Sequence, residues 1–305
     1  MNITPSTFST VSRSSELVTQ LEQGCAWAEI DRGRATRYGK LITEFFDGTG
    51  VSREHILAHY EADEIAEIYK LWSPRVEDFP GLKGRICEAI KSGPLLREDE
   101  NLATSSNRPR NDVFGFFIAG RLLAAGCQVL AVEGVNRSTE GGRWVGDVTV
   151  RQGEVTLDIQ CKRPQTAEAV GVNIERAKKQ ILRATCPRMG IVGVDLSVII
   201  RPPGTFLPTF GVASASNKLS DLVQTHAKAV TDAMLGPQIA GIIWFGKIPC
   251  RITQPSRIVK PAGGQYEITR PYIAREMTFT MNASSPYVGA LRSVGEQLSR
   301  WSKSR

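Results

Sequence analysis

The sequence predicts an α/β protein, a mixed β-sheet with helices on both faces behind an N-terminal helical region. Three observations carry this. Residues 14–90 place apolar side chains at three- and four-residue steps without any strand signal. Residues 110–250 alternate helical stretches with short apolar or alternating ones, and within them a Gly-containing turn joins two strand-like runs into a hairpin. At 305 residues and 41% apolar side chains, the chain suffices for one large domain or two small ones. Charge divides it as well: residues 1–100 hold 12 Lys/Arg against 17 Asp/Glu, and residues 101–305 hold 26 against 14. The expected organisation is an acidic helical region over 1–100, an α/β core over 101–283 and a basic tail over 284–305.

The elements follow in order. Leu17 and Leu21, then Leu41, Ile42, Phe45 and Phe46, then Ile56, Ile65, Ile68 and Leu71 mark three or four helices, with Ser52 at an N-cap position. Gly93 and Pro94 close that region. Asp112 is placed to cap a helix whose apolar face is Val113, Phe116, Phe117, Leu122, Leu123 and Ala124, with Gly126 as its C-cap. Residues 127–132 form a short strand, and residues 144–150 and 154–162 form the hairpin around Gln152 and Gly153. Next come a helix over 172–184, a buried strand over 190–200, a helix over 218–235 and a second buried strand over 239–246. Residues 265–282 add a strand, and the chain from Ser284 reads as helical and basic.

Several function classes are excluded. The six cysteines lie far apart without a Cys-x-x-Cys pair, which fits neither a disulfide framework nor a zinc ribbon. The Ser/Thr-rich start lacks the apolar segment of a signal peptide, so the chain reads as cytoplasmic with reduced thiols. No run approaches the ~18 apolar residues of a membrane span. Only His55, His59 and His226 are present, which argues against Ser-His-Asp and Cys-His catalysis. His55 and His59, at i and i+4, read as a partly exposed pair on a helix rich in Glu61, Asp63, Glu64 and Glu67, with no third ligand for zinc. Neither a P-loop nor a Gly-x-Gly-x-x-Gly turn occurs. The net charge of +7, concentrated in the last two thirds, favours polyanionic partners, nucleic acid ahead of a membrane surface.

The chemistry concentrates in residues 146–164. In a strand, side chains two apart share a face, so Leu157, Ile159 and Cys161 point one way and Thr156, Asp158, Gln160 and Lys162 the other. With Gln152 and Gly153 as the two-residue loop, Arg151 pairs with Glu154 and Asp147 falls opposite Asp158, diagonal to Gln160. Two carboxylates, an amide oxygen and a lysine then converge. That donor set suits Mg²⁺, which prefers oxygen ligands and keeps waters for substrate phosphates, while the ammonium holds the attacking water or developing phosphate charge.

Asp147, followed thirteen positions later by Gln160-Cys161-Lys162, resembles the PD-(D/E)xK nuclease superfamily, the restriction-endonuclease-like fold. The resemblance covers residues 110–250, where the order of helix, strand, hairpin and helix is that of the family's core. It implies a Mg-dependent endonuclease, with Mn²⁺ as an alternative ion, that hydrolyses DNA in preference to RNA in the manner of a restriction or phage-defence enzyme. Asp147, Gln160 and Lys162 are the implied catalytic residues. Asp147, Gln160 in the second acidic slot, the Cys161 carbonyl and, in compensation, Asp158 are the implied metal ligands. Gly146 stands where the motif has proline, and Asp112 is the nearest candidate for the family's helix acid. The basic helix that follows assigns nucleic-acid contacts to Arg163, Arg176, Lys178, Lys179 and Arg183. Cutting both strands takes two sites, which admits a homodimer. The other readings are a degenerate fold that binds nucleic acid without cutting, because Gln160 replaces an acid, and a protein partner docked on the acidic N-terminal helices.

Overall fold

The computed structural model describes residues 8–9, 14–47, 49–50, 52–92, 108–139, 146–183, 189–200, 207–234, 239–259, 265–283 and 285–303. A short strand β1 (Phe8–Ser9) precedes helices α1 (Ser14–Trp27), α2 (Arg32–Phe46), α3 (Arg53–Trp72), α4 (Leu82–Ser92) and α5 (Arg108–Ala124). Then follow β2 (Gln128–Val132), β3 (Val135–Asn136), β4 (Val148–Gln152), β5 (Val155–Lys162), α6 (Ala167–Leu182) and β6 (Met189–Asp195). The chain continues through α7 (Ser197–Ile200), β7 (Leu207–Phe210), α8 (Gly211–Met234), β8 (Ile239–Val259), β9 (Gln265–Met281) and α9 (Val288–Lys303). Among the described residues, no helix is long and apolar enough to cross a membrane.

The strands make one mixed sheet in the order β1-β9-β8-β6-β5-β4-β2-β3, with β7 added on β8. Neighbours are antiparallel from β2 through β4 to β5, parallel from β5 through β6 to β8, and antiparallel again between β8 and β9. The period of two sorts the strand residues between two apolar layers. Val148, Val150, Leu157, Ile159, Cys161 and Ile191 face α5 and the N-terminal helices. Val192, Val194, Ile242 and Trp244 face Val170, Ile174 and Ile181 of α6 and Leu219 and Val223 of α8.

The division near residue 100 is one of charge and not of packing. A single apolar cluster runs from Leu17 and Leu21 through Trp72 and α5 to Leu291, Val294 and Leu298 of α9, so the basic C-terminal segment is a docked helix. The Trp72 indole N–H donates to the Phe116 carbonyl at 2.9 Å. A Cβ at Gly120 would stand 2.8 Å from that of Leu71, so glycine there lets α5 close on α3.

Other boundaries differ for local reasons. Helix α5 begins at Arg108, which places Asp112 inside the helix and not at its cap; Gly126 ends it at φ +88, as a C-cap glycine should. The buried strand stops at Asp195 because its carboxylate accepts the Ser197 N–H at 2.8 Å and turns the chain into α7. Strand β8 continues to Val259, well beyond 246, because β9 pairs with it as far as Gln265. The hairpin pairs Gln152 with Val155, so Gly153 (φ +59) and Glu154 make the turn. The register is thus two residues from the expected one, which leaves every side chain on its expected face.

Of the histidine pair, His55 is partly exposed as expected and His59 is buried. His55 is held by Ser52 Oγ at 2.6 Å and by Glu44 Oε2 at 3.0 Å. His59 is buried between the rings of Phe45 and Phe46, its Nδ1 without a hydrogen-bond partner. Burial, with Lys247 and Arg275 nearby, pushes its pKa down to about 3. Unfolded histidine takes up a proton near pH 6.5, so the unfolded state binds one more proton than the native state between pH 6.5 and about 3. Stability contributed by neutral His59 is complete above that window and falls as pH drops through it. Urea midpoints compared from pH 7 to pH 4 should fall more steeply in the wild type than in His59→Leu, by up to about 1.4 kcal/mol per pH unit; parallel curves would show that His59 is not the group titrating.

Candidate functional site

The last ladder pair between β4 and β5 is Val148 with Ile159. β5 continues past it, joined to β6 through Gln160 with Val192, Cys161 with Gly193 and Lys162 with Val194. The Cys161 N–H, lacking a β4 partner, needs an acceptor. Asp147, immediately before β4, supplies it: its Oδ2 accepts at 2.7 Å. Lys162 Nζ lies 3.7 Å from the same oxygen and 3.3 Å from Gln160 Oε1. The structure therefore brings Asp147, Gln160 and Lys162 together, with the Asp147 side chain one-quarter exposed and Lys162 more enclosed.

Asp158 is placed otherwise. The shifted register sets Thr149 opposite it, and the Thr149 hydroxyl donates to its carboxylate at 2.6 Å, with Asp158 only 1% exposed. The Cys161 thiol faces the other side, in the apolar cluster, where burial pushes it well above its ordinary range. What Cys161 brings to this end of the strand is its backbone.

Two further carboxyls meet the trio. Glu133 sits between β2 and β3 with φ +47, and its N–H donates to the Asp147 carbonyl at 2.7 Å. Beneath it lies Gly115 of α5. A Cβ there would come within 2.5 Å of Glu133 Oε1, so glycine opens the space that the Glu133 carboxyl uses, with Asp147 Cβ 4.0 Å away. Burial first, then Asp147 and Asp112, push the Glu133 pKa up to about 9, against Lys162 and Arg85. Burial also raises Asp147, opposed by Lys162 and the Cys161 N–H. Asp112, from inside α5, therefore acts electrostatically on this site. Sequence reasoning missed Glu133. The available signal was topological: it directly follows an apolar strand whose end, Val132, pairs with Val148, so it emerges beside Asp147.

Carboxyls held above their usual range chiefly by burial are groups whose ionisation a cation would favour. Asp147, Glu133 and Gln160 offer oxygen donors only, which fits Mg²⁺ or Mn²⁺. Among the described residues, no three His, Cys, Asp or Glu side chains form a ready-made metal cage. A small ion that takes one or two carboxylates and keeps its waters does not need one.

Of the expected nucleic-acid contacts, Arg163 is corrected. It is 3% exposed, its Nε lies 2.6 Å from Asp195 Oδ2 and its guanidinium also pairs with Glu64, so it cannot reach a phosphate. Arg176, Lys179 and Arg183 are exposed on one face of α6, together with Val172, while Lys178 is half-buried with Glu175 Oε1 3.9 Å away. α6 runs back along the sheet from the Lys162 end, so these cations form a row of roughly 10 Å that begins about 14 Å along the helix, away from the carboxyl cluster. No family model, curated protein or solved structure matches the chain.

The Thr149–Asp158 bond has a measurable consequence. Thr149→Val removes that hydroxyl donor from the buried Asp158 and should lower stability by about 1–3 kcal/mol in urea denaturation. Asp158→Asn should leave Mn²⁺ affinity unchanged by calorimetry; a severalfold loss would return Asp158 to the ligand set.

Proposed function

We propose that this chain is a metal-dependent phosphodiesterase that cuts nucleic acid, DNA in preference to RNA, and that residues 110–250 form a core of the restriction-endonuclease-like type. The observation that carries the reading is the meeting of Asp147, Gln160 and Lys162 at the end of β5 that β4 leaves unpaired, with Asp147 bound across the gap to the Cys161 N–H. The sequence of α5, β2, β4, β5, α6 and β6, antiparallel through the hairpin and parallel after α6, supports it. Glu133 supports it again, because it provides the carboxyl that Gln160 lacks.

In this reading Asp147, Glu133 and Gln160 hold the divalent ion, which when bound lowers the pKa of a water and offsets charge on the phosphoryl oxygens. The chain's own groups do the rest. Lys162 offers its ammonium beside Asp147, within reach of an attacking water or a non-bridging phosphate oxygen, where charge develops. The Cys161 N–H fixes the Asp147 carboxylate, so the second oxygen keeps a defined direction. Arg176, Lys179 and Arg183 give α6 a sequence-independent attraction for the phosphate backbone that weakens as salt rises. No histidine is required.

Incubation with plasmid, single-stranded DNA and RNA in Mg²⁺, Mn²⁺ or EDTA tests this directly. DNA should be cut only with a divalent ion, and Asp147→Ala and Lys162→Ala should each slow cleavage by about a hundredfold or more while circular dichroism stays unchanged. A soluble Asp147→Ala protein that cuts at the wild-type rate overturns the assignment. Salt-sensitive DNA binding with no cleavage in either ion, indifferent to EDTA, would instead establish a binding module.

A further inference from the structure

Beyond Ile159, β5 is laddered on one side only, and side chains stand in for the missing strand. Asp147 takes the Cys161 N–H. Two residues on, Asn111 Oδ1 of α5 accepts the Arg163 N–H at 3.0 Å. The Arg163 side chain leaves the sheet on the face opposite Lys162 and is clamped between Asp195 of β6, at 2.6 Å from Nε, and Glu64 of α3. Glu64 is itself 3.2 Å from Lys247 Nζ on β8. Burial alone would raise the Glu64 pKa, but Arg163 and Lys247 outweigh it and hold the carboxyl below its ordinary range.

Adjacent strand residues project to opposite faces, so a fixed Arg163 fixes the direction in which Lys162 leaves the backbone. We propose that Glu64 and Asn111 are positioning residues for Lys162, so that the N-terminal helical layer, acting through Arg163, holds the lysine in place beside Asp147. This rests on the nuclease reading of that lysine. Glu67, one turn along α3, provides a matched comparison: its side chain is 8% exposed against 11% for Glu64, and its ion pair, 2.6 Å to Arg121, runs to α5.

Wild type, Glu64→Gln and Glu67→Gln should be compared by cleavage kinetics, by hydrogen exchange of the Cys161 and Arg163 amides, and by urea denaturation. Glu64→Gln is expected to lower kcat about tenfold or more with little change in KM and to speed exchange at both amides. Glu67→Gln is expected to lose similar global stability while kcat and those amides stay as in the wild type. Equal effects of the two variants, or wild-type kcat and exchange in Glu64→Gln, would overturn the proposal. Should Glu64→Gln fail to fold, Asn111→Ala tests the same clamp from α5: a loss of kcat restored by Asn111→Asp supports it, and no loss overturns it. Exchange needs no substrate, so a wild type that cuts nothing removes the nuclease reading while the clamp is still measured.

Discussion

The interaction on which the structure turns is the buried ion network that α3 makes with the ends of the central strands. Asp63 pairs with Arg275 and Lys247, Glu64 with Arg163 and Lys247, Glu67 with Arg121, and Asp195 with Arg163. Four carboxylates face four cations, nearly all out of water. Each ion carries a desolvation cost of several kcal/mol, which only close opposite charges and hydrogen bonds offset, so losing one partner leaves an uncompensated charge worth about 3–5 kcal/mol. Tyr60 adds its hydroxyl to the Lys247 carbonyl at 2.8 Å and its ring to the ammonium at 4.6 Å. The network also bounds a cavity of about 20 Å³, lined by Asp63, Glu64, Glu67, Arg163, Lys247 and Arg275 among others.

Part of the charge asymmetry of the chain is internal. The acidic helix offers little to an outside partner, because Asp63, Glu64 and Glu67 turn inward and Glu61 is taken by Arg34 and Tyr38. Arg121, Arg163, Lys247 and Arg275 are correspondingly withdrawn from the basic surface. What remains for a polyanion to meet among the described residues of α6 is a short exposed row, not the whole excess of the last two thirds.

Helix and strand periodicity was legible in the sequence because apolar burial sets it, and so was the sharing of one face by Asp147, Gln160 and Lys162. Burial of that face was not legible. Alternation of Thr156, Asp158, Gln160 and Lys162 describes an edge strand facing water as well as it describes β5, which lies between β4 and β6 with both faces covered. Glu133 escaped because its role depends on which strand ends adjoin, a long-range property that no local pattern encodes. The two-residue slip in the hairpin came from turn chemistry: Gly153 occupies the first central turn position, where positive φ is needed, and not the second.

The Tyr60 hydroxyl and the Lys247 carbonyl it reaches are 187 residues apart. At ribosomal rates of about 5–20 residues per second, α3 waits roughly 10 to 40 s for its partners to be made. α1 and α2, already made, can cover Ile65, Ile68 and Leu71 in that interval, while Asp63 has neither of its cations until β8 and β9 follow. The groups that later bind the helix to the sheet thus act first as gatekeepers against premature association, and the last bonds of α3 to the sheet are gated by synthesis of β8 and β9.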